Sequence, residues 1–386
     1  MQAIYLDHAA TTKLKPEALS KMLPYFTEVY GNANSQHAFG REAMAAVDEA
    51  RDFIASAIGA KPSEIYFTSG GTEADNWALK GMVRAAAKKG KHFIISAIEH
   101  PAMIESAKAL EKEGYECTYL PVLSDGTVNL QALKDSIRPD TTFIGVMLAN
   151  NEIGTIQPVA EIVNIAKEYR IPVFTDAVQA VPAMRIDVKQ LGVSAMAFSS
   201  HKFGGPKGVG VLYLKTGTPI AKMMTGGHQE RTQRGGTTNV TGIVGMAEAL
   251  RITLQEMDEN NAKIASLRDY FVARVKAEIP EVIYNGSEQN RVPSNANFTF
   301  RYIEGESILF RLDLAGIAVS SGSACSSGSL EPSHVLLAIG LREGDAHGTI
   351  RFSFGAENTK EEVDYVVDTL KQNVQMLREM SPLYHK

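Results

Sequence analysis

Short apolar runs alternate with amphipathic segments through the first two thirds of the chain, and this alternation restricts the possible folds more than any other feature. The apolar runs predict strands at 64–68, 92–98, 117–122, 142–149, 172–177, 195–200 and 209–214. The amphipathic segments predict helices between them, for example at 73–88, 101–113 and 159–168. Because the predicted strands are apolar on both faces, we predict an α/β fold in which helices cover both faces of a mainly parallel sheet.

The pattern changes near Thr241, where a helical pattern over 243–279 begins. A pattern of this length predicts two helices or one bent helix. The remainder predicts a smaller α+β unit, with strands and helices at 296–302, 306–315, 317–322, 332–339, 349–355 and 361–380. Since 386 residues exceed what one core usually organises, we expect a large domain over 15–255 and a small domain formed by 1–14 together with 256–386.

Charge and cysteine content argue against several classes of protein. The net charge of -5 and the isoelectric point near 6.0 disfavour nucleic acid as a direct ligand. Two cysteines, Cys117 and Cys325, do not make a disulfide framework in a chain of this size, which indicates a reducing compartment. The N-terminus lacks a signal-peptide pattern, and no apolar run approaches the roughly 18–20 residues that span a bilayer. We therefore expect a cytoplasmic protein that binds neither nucleic acid nor membrane, and we predict no metal site.

A glycine-rich turn at 68–73, Thr-Ser-Gly-Gly-Thr-Glu, lies where a predicted strand ends and a helix begins. Backbone N–H groups at such a helix N-terminus form a site for phosphate. The spacing is neither that of a nucleotide P-loop nor that of a Rossmann fingerprint. The alternative is a plain turn with a threonine N-cap.

Asp176 and Lys202 each lie at the end of an apolar run, where open α/β sheets bind their ligands. An acid there could pair with a protonated ring nitrogen, and a buried lysine amine could form a Schiff base with an aldehyde. Taken singly, the two residues are more simply explained as a helix-capping acid and a solvated lysine. Together with the phosphate turn and with His100 at another strand end, they match the needs of pyridoxal phosphate (PLP): a phosphate cradle, a partner for the ring nitrogen and a lysine.

Ten motifs follow one another in an order that is similar to one enzyme family over nearly the whole chain. They are YLDHAATT near the start, GNANSQHAFGR at 31–41, TSGGTEADN at 68–76, EHPA at 99–102, NNEIGTIQP at 150–158, DAVQA at 176–180, HKFGGPKG at 201–208, RGGT at 234–237, SGSACSSG at 321–328 and IRFSFG at 350–355. On these motifs the chain resembles the class V aminotransferase group of fold-type I PLP enzymes, and within it the cysteine desulfurases of the NifS/IscS family. The resemblance implies removal of sulfur from L-cysteine, with alanine as the other product.

The resemblance also implies roles for individual residues around the cofactor. Lys202 would form the Schiff base with PLP, Asp176 would pair with its pyridine nitrogen, and His100 would stack on its ring. The remaining cofactor contacts would come from Asn151 and Gln179 at the 3-oxygen side of the ring, and from Gly71, Thr72, Ser199 and His201 at the phosphate. Thr237, in a motif with no obvious local role in the large domain, would reach the cofactor phosphate of the neighbouring subunit, which implies a homodimer.

The resemblance also implies that two residues, Asn32 and Arg351, bind the carboxylate of the substrate. An arginine inside an apolar strand seldom lies buried without a partner, and its planar fork suits a carboxylate. The alternative for Arg351 is a structural ion pair. The family commonly has Gly-Asn-Pro-Ser-Ser where this chain has Gly-Asn-Ala-Asn-Ser at 31–35, so Asn32 is retained in a loop that is predicted to be less rigid without proline.

Cys325 is the expected sulfur acceptor, in the Gly/Ser-rich segment 320–329. Such a composition predicts a mobile loop away from tight core packing, which suits a thiol that visits both an active site and a partner. Only a thiolate is nucleophilic, so the thiol needs positive surroundings, for which His100 is the candidate. Cys117, which starts an apolar strand, is interpreted as a core cysteine. The segment after Cys325 resembles the long-loop subgroup, whose acceptors serve iron–sulfur cluster assembly and tRNA thiolation.

Three alternatives remain open from the sequence. An aminotransferase of the same fold would consume an oxo-acid and needs no reactive thiol. A selenocysteine lyase would discriminate against cysteine. A non-catalytic sulfur carrier or scaffold would need neither Lys202 nor Asp176.

Overall fold

The structure is a computed structural model that describes residues 3–321 and 331–384. Its strands, numbered in chain order, are β1 (Ile4–Tyr5), β2 (Ile65–Thr68), β3 (His92–Ser96), β4 (Glu116–Leu120), β5 (Thr141–Gly145), β6 (Val173–Asp176), β7 (Ala195–Ser199), β8 (Gly210–Leu214), β9 (Val282–Tyr284), β10 (Asn295–Phe300), β11 (Ile317–Ala318), β12 (Ser320–Ser321) and β13 (Thr349–Ser353). Its α-helices are α1 (Pro16–Met22), α2 (Pro24–Thr27), α3 (Ala38–Ala57), α4 (Gly71–Ala85), α5 (Pro101–Lys112), α6 (Leu130–Ser136), α7 (Val159–Glu168), α8 (Val188–Leu191), α9 (Val240–Glu278), α10 (Gly305–Leu314), α11 (His334–Ala338), α12 (Glu343–Ala346) and α13 (Lys360–Met380). Within these two ranges, no helix has the length and apolar character needed to cross a lipid bilayer.

The seven strands predicted in the first two thirds of the chain form one sheet, in the order β2-β8-β7-β6-β5-β3-β4. Strands β3 to β7 are parallel, and β8 is antiparallel to both of its neighbours. Side chains alternate between two buried clusters, so that Ala195 and Ala197 of β7 lie on one face and Met196 and Phe198 on the other. Helices α4 and α5 contribute to the first cluster, and α3, α7 and α9 to the second. The predicted α/β fold, with helices on both faces of a mainly parallel sheet, is confirmed.

Helix α9 is one uninterrupted helix of 39 residues. Of the two predicted possibilities, the structure has a single helix rather than two, because neither proline nor glycine occurs after Gly245 to break it. The helix is long because it serves two cores. Its first half contributes Met246 and Leu250 to the core of the large sheet, and its second half contributes Phe271 and Val275 to a separate cluster.

A second, antiparallel sheet follows α9, in the order β12-β13-β10-β9. The N-terminal strand β1 pairs with β11, which brings the start of the chain next to this C-terminal part. The segment predicted as one strand over 317–322 is divided into β11 and β12, which pair with β1 and β13 respectively. The proposed domain division at residue 255 falls inside α9, and we retain it as a proposal.

Strand β2 is an edge strand of the large sheet, and side chains occupy its outer edge. The Phe67 N–H donates to Glu230 Oε2 at 3.0 Å, and the Ile65 carbonyl accepts from Arg51 at 2.7 Å and from Arg231 at 2.6 Å. Arg51 also pairs with both carboxylate oxygens of Glu230 at 2.9 Å. Glu230, Arg231 and Thr232 reach this position through three consecutive left-handed conformations, with φ of 42°, 55° and 68°.

Candidate active site

A cavity of about 270 Å³ lies at the carboxyl ends of β3, β6 and β7, where parallel sheets bind ligands. The predicted site residues that line it are Gly71, Thr72, His100, Asn151, Asp176, Gln179, Ser199, His201, Lys202 and Arg351. They meet because strand ends that are far apart in sequence lie at one edge of the sheet. The N-terminal segment contributes Ala9 and Ala10 to the same wall.

The amine of Lys202 is held against the N-terminal segment. Lys202 ends a short 3₁₀ turn, Ser200–Lys202, that directly follows β7. Its Nζ donates to the carbonyl oxygen of Ala9 at 2.6 Å and to that of Ala10 at 2.8 Å. Gln179 holds the same segment, because its Nε2 donates to the Ala9 carbonyl at 2.9 Å. The amine therefore lies half-buried at the cavity, where it can reach an aldehyde of a bound ligand.

Asp176 is the last residue of β6 and is 4% exposed. The Val178 N–H donates to its Oδ1 at 2.8 Å. Burial raises the pKa of Asp176 to about 6, although the Val178 N–H and the charge of Lys202 act in the opposite direction. A buried carboxylate with this proton affinity is suited to bind a protonated ring nitrogen.

The two histidines of the cavity are neutral at pH 7. Burial and the charge of Lys202, with a smaller effect of His334, lower the pKa of His100 to about 4. Burial and the charges of Lys202 and Lys207 lower the pKa of His201 to about 4. The Nδ1 of His100 accepts the Ala102 N–H at 3.1 Å and so caps α5. His100 thus cannot supply the standing positive charge expected of it from the sequence. Because Nδ1 accepts a backbone N–H, Nε2 of the neutral ring carries the hydrogen and can donate it in a hydrogen bond, and the ring can stack on another ring.

The phosphate end of the predicted site is the N-terminus of α4. Gly70, at the N-cap, has φ of 153° and no side chain to accept the first N–H groups of the helix. A Cβ atom at Gly71 would come within 2.8 Å of Val178 Cγ2, so glycine allows this close approach. Gly71, Thr72, Ser199 and His201 also line a second, more open recess, together with Lys207. Uncapped N–H groups beside a lysine favour an anion here.

Arg351 reaches the cavity from β13 and is 2% exposed. Its Nη2 donates to Asp7 Oδ1 at 2.9 Å, and its Nη1 donates to the Asn151 carbonyl at 2.8 Å. Its Nε is buried and has no hydrogen-bond partner among the described residues. Arg351 therefore makes the ion pair that was weighed as the alternative and still keeps one open donor, which a ligand carboxylate would satisfy.

Three predicted site residues are not placed at the cavity. Asn32 is exposed, and its Oδ1 accepts the Asn34 N–H at 3.0 Å within its own turn. Thr237 is exposed. Cys325 lies outside the described residues. The roles of these three residues stay predictions.

The segment that carries Thr237 has a local role that the sequence did not suggest. Arg234 donates from Nε and Nη2 to the two carboxylate oxygens of Glu73, at 2.8 and 3.0 Å. Glu73 also accepts the Ser69 N–H at 3.0 Å. This pair fixes the segment beside the phosphate turn, so the interpretation of RGGT as a motif without a local role was wrong.

Sequence reasoning overlooked two acids of the site. Asp75 lines the cavity from α4 and is 1% exposed, and Asp7 is the partner of Arg351. Both lie inside motifs on which the resemblance rests, TSGGTEADN and YLDHAATT. Membership of those motifs was the signal that could have identified them.

The residues at the cavity fit PLP. The uncapped start of α4 suits the phosphate, Asp176 suits the ring nitrogen, and Lys202 supplies the amine. His100 lies at the cavity with a neutral ring. The open Nε of Arg351 leaves a cationic donor for a substrate carboxylate.

Comparison with known proteins gives the same family from sequence and from structure. The family model described as Aminotransferase class-V matches residues 4–366. A cysteine desulfurase IscS of Dictyoglomus turgidum is 52% identical over 379 residues, which cover 98% of this chain and 96% of the relative. Among solved structures, a NifS-like protein has a TM-score of 0.92 at 36% identity and covers 97% of this chain and 100% of its own. SspA in complex with cysteine has a TM-score of 0.82 at 33% identity, over 92% of this chain and 100% of its own. The chain therefore belongs to the class V aminotransferase family of PLP-dependent enzymes, within the branch of the cysteine desulfurases.

Proposed function

We propose that this chain, a PLP-dependent cysteine desulfurase, binds L-cysteine in the cavity of Lys202, releases alanine and transfers the sulfur to Cys325. One observation carries the assignment of the site. The Lys202 amine, the Asp176 carboxylate and the Arg351 guanidinium line a single cavity at the strand ends. These are an amine for an aldehyde, an anion for a ring nitrogen and a cation for the carboxylate of an amino acid.

When bound, PLP supplies an electron sink for the electron pair that is left at Cα of the substrate after loss of its proton. Asp176 would hold the ring nitrogen, and the start of α4 would hold the phosphate. Arg351 orients the substrate through its carboxylate. The Lys202 amine would take the Cα proton, and the neutral ring of His100 lies at the same cavity.

Sulfur transfer requires a nucleophile, which we assign to Cys325. Its thiolate would attack the sulfur of the substrate, so that a new S–S bond forms while the Cβ–S bond breaks. The carbon fragment keeps the electron pair of that bond, gains a proton and leaves as alanine. The Nε2–H of a neutral His100, whose Nδ1 accepts the Ala102 N–H, could donate a hydrogen bond to this thiolate. That SspA, a structural neighbour, was solved with cysteine supports a cysteine substrate here.

The overall reaction is tested with purified holoenzyme and L-cysteine as the sole substrate. We expect one alanine for each sulfur that is recovered as protein persulfide or, with a thiol reductant, as sulfide. An aminotransferase would need an oxo-acid and would release no sulfur. Alanine formation from selenocysteine alone would show a selenocysteine lyase instead.

Arg351→Ala is expected to raise the KM for cysteine about 10- to 100-fold, because charge-assisted hydrogen bonds contribute roughly 1.5–3 kcal/mol. Arg351→Lys, which keeps the charge without the planar fork, is expected to have a KM for cysteine between those of Arg351→Ala and the wild type. Steady-state kinetics give the KM, and the visible spectrum of the bound cofactor should remain unchanged. An unchanged KM in a folded Arg351→Ala protein would reject the carboxylate site and leave only the ion pair with Asp7.

We also propose a homodimer in which Thr237 reaches the cofactor of the partner subunit. Thr237 is exposed and does not line the cavity of its own chain. Phe26, Tyr30 and Phe39 are 60%, 67% and 52% exposed, and the rings of Tyr30 and Phe39 lie 5.8 Å apart, which supports an apolar surface for self-association. A holoenzyme that sediments as a monomer would contradict this assignment.

The sulfur acceptors that we propose are an iron–sulfur scaffold protein or a tRNA-thiolation enzyme, in the cytoplasm. The low cysteine content supports a reducing compartment, and the relatives named IscS support iron–sulfur assembly. The acceptor is the purified protein that increases the rate of alanine production and receives the sulfur. No increase with either class would reject both.

A further inference from the structure

Three buried carboxyl groups lie close enough to act on one another, and two of them are at the cavity. Asp75 comes from α4, Glu99 follows β3 and Asp176 ends β6, and they are 1%, 0% and 4% exposed. Asp75 and Asp176 both line the cavity. The reaction proposed above uses Asp176 alone, so the other two acids need a separate explanation.

Asp75 and Glu99 lack the partners that a buried carboxylate requires. Glu99 Oε1 accepts the Met147 N–H at 2.7 Å, but Glu99 Oε2 and Asp75 Oδ1 have no hydrogen-bond partner in the part of the chain that the structure describes. Neither acid forms an ion pair within that part. A buried carboxylate without a cation is strongly disfavoured, and a carboxyl group in such a place holds its proton.

The neighbouring charges act in the same direction as burial. Burial, followed by the charges of Asp176 and Glu99, raises the pKa of Asp75 well above its usual value. Burial also raises the pKa of Glu99 well above its usual value, with a further contribution from Asp176, and the Met147 N–H offsets only part of this effect. The positive charge of Lys202 acts on Asp176. A single positive charge can neutralise only one of the three carboxyl groups.

We propose that Asp75 and Glu99 are protonated in the folded enzyme, and that Asp75 is a positioning residue whose carboxyl O–H donates a hydrogen bond to Asp176. A protonated carboxyl group is a donor, whereas an ionised one only accepts. Asp176 is then the single anion of the cluster and is held in place from the helix side. The inference rests on the proposed role of Asp176 as the partner of the ring nitrogen.

The protonation is tested by infrared spectroscopy of the holoenzyme at neutral pH. Wild type is expected to show C=O stretching bands of protonated carboxyl groups, one of which disappears in Asp75→Asn and another in Glu99→Gln. Both variants replace a neutral acid by a neutral amide of nearly the same shape. Absence of these bands at neutral pH, or bands that both variants retain, would overturn the proposal.

The positioning role is tested by the dissociation constant of PLP from the refilled apoenzyme. Asp75→Asn keeps a donor and is expected to stay within about threefold of wild type, whereas Asp75→Ala is expected to bind PLP about tenfold more weakly, the scale of one hydrogen bond to a charged group. Asp75→Ser leaves a similar space but retains a hydroxyl donor, so recovery of affinity in this variant separates the hydrogen bond from the loss of volume.

Two results would overturn the positioning role. One is an Asp75→Ala protein that binds PLP like wild type. The other is an Asp75→Asn protein that loses PLP as strongly as Asp75→Ala, which would mean that the charge of Asp75 matters. Neither measurement uses cysteine, so an enzyme that passes both and yet releases no alanine would contradict only the proposed function.

Discussion

Cys325→Ser is expected to abolish persulfide formation and to reduce alanine production at least ~10³-fold, on the scale of the loss of a catalytic nucleophile. A serine hydroxyl cannot accept sulfur to form a persulfide. The substitution leaves the residues that line the described cavity unchanged, so PLP binding and the change of the cofactor spectrum on addition of cysteine should persist. Mass spectrometry of the protein and an assay of alanine measure the two effects.

Cys117→Ser is the matched control. Cys117 lies half-buried on β4, where burial and the charge of Glu111 raise the pKa of its thiol, so it stays protonated and unreactive at neutral pH. We expect wild-type alanine production and only a small loss of stability. If Cys117 were essential and Cys325 dispensable, the desulfurase assignment would fail and an aminotransferase would become the better explanation.

Lys202→Ala is expected to lose the covalent bond to the cofactor and to lower the rate of alanine production ~10²- to 10⁴-fold, the range for removal of a group that transfers protons in the reaction. The position of Nζ supports this expectation, since the Ala9 and Ala10 carbonyls hold the amine at the cavity. Borohydride reduction of the wild-type holoenzyme, followed by peptide mapping, should place the cofactor on Lys202.

Lys207 provides the control for that experiment. It is the nearest lysine in sequence and lines the recess at the phosphate end. Lys207→Ala should retain the cofactor on Lys202 after borohydride reduction. A cofactor label on Lys207 in the wild-type protein would instead show that Lys207, and not Lys202, binds the cofactor.

Much of the large sheet could be predicted from the sequence because its strands are buried on both faces. Such strands appear as continuous apolar runs, and all seven runs became strands whose ends moved by only a few residues. The uninterrupted α9 could not be predicted in this way, because its length depends on two separate cores that it crosses. The turn at 230–232 could not be predicted either, because its left-handed backbone is stabilised by contacts with Arg51 and β2, which are far away in the sequence.

The site was predictable where chemistry coincides with a strand end. His100, Asp176 and Lys202 all follow apolar runs, and the topology of a parallel sheet brings such positions to one cavity. Asp75 was missed because it lies within a helix, where only tertiary packing decides whether an acid faces water or the protein interior. Asn32 and Thr237 were predicted from the resemblance alone, and both are exposed residues that do not line the cavity of their own chain, so their roles stay predictions.

The side chains that bond the outer edge of strand β2 affect the tendency of the protein to aggregate at high concentration. An edge strand with open N–H and C=O groups is a template on which another molecule can add a strand, and this is a route to aggregation. Here the Phe67 N–H and the Ile65 carbonyl are already bonded to Glu230, Arg51 and Arg231. A foreign strand would have to displace Glu230 and both arginines before it could pair. The three left-handed residues of this turn, each strained by roughly 1–2 kcal/mol, thus allow residues of the same chain to bond the outer edge of β2.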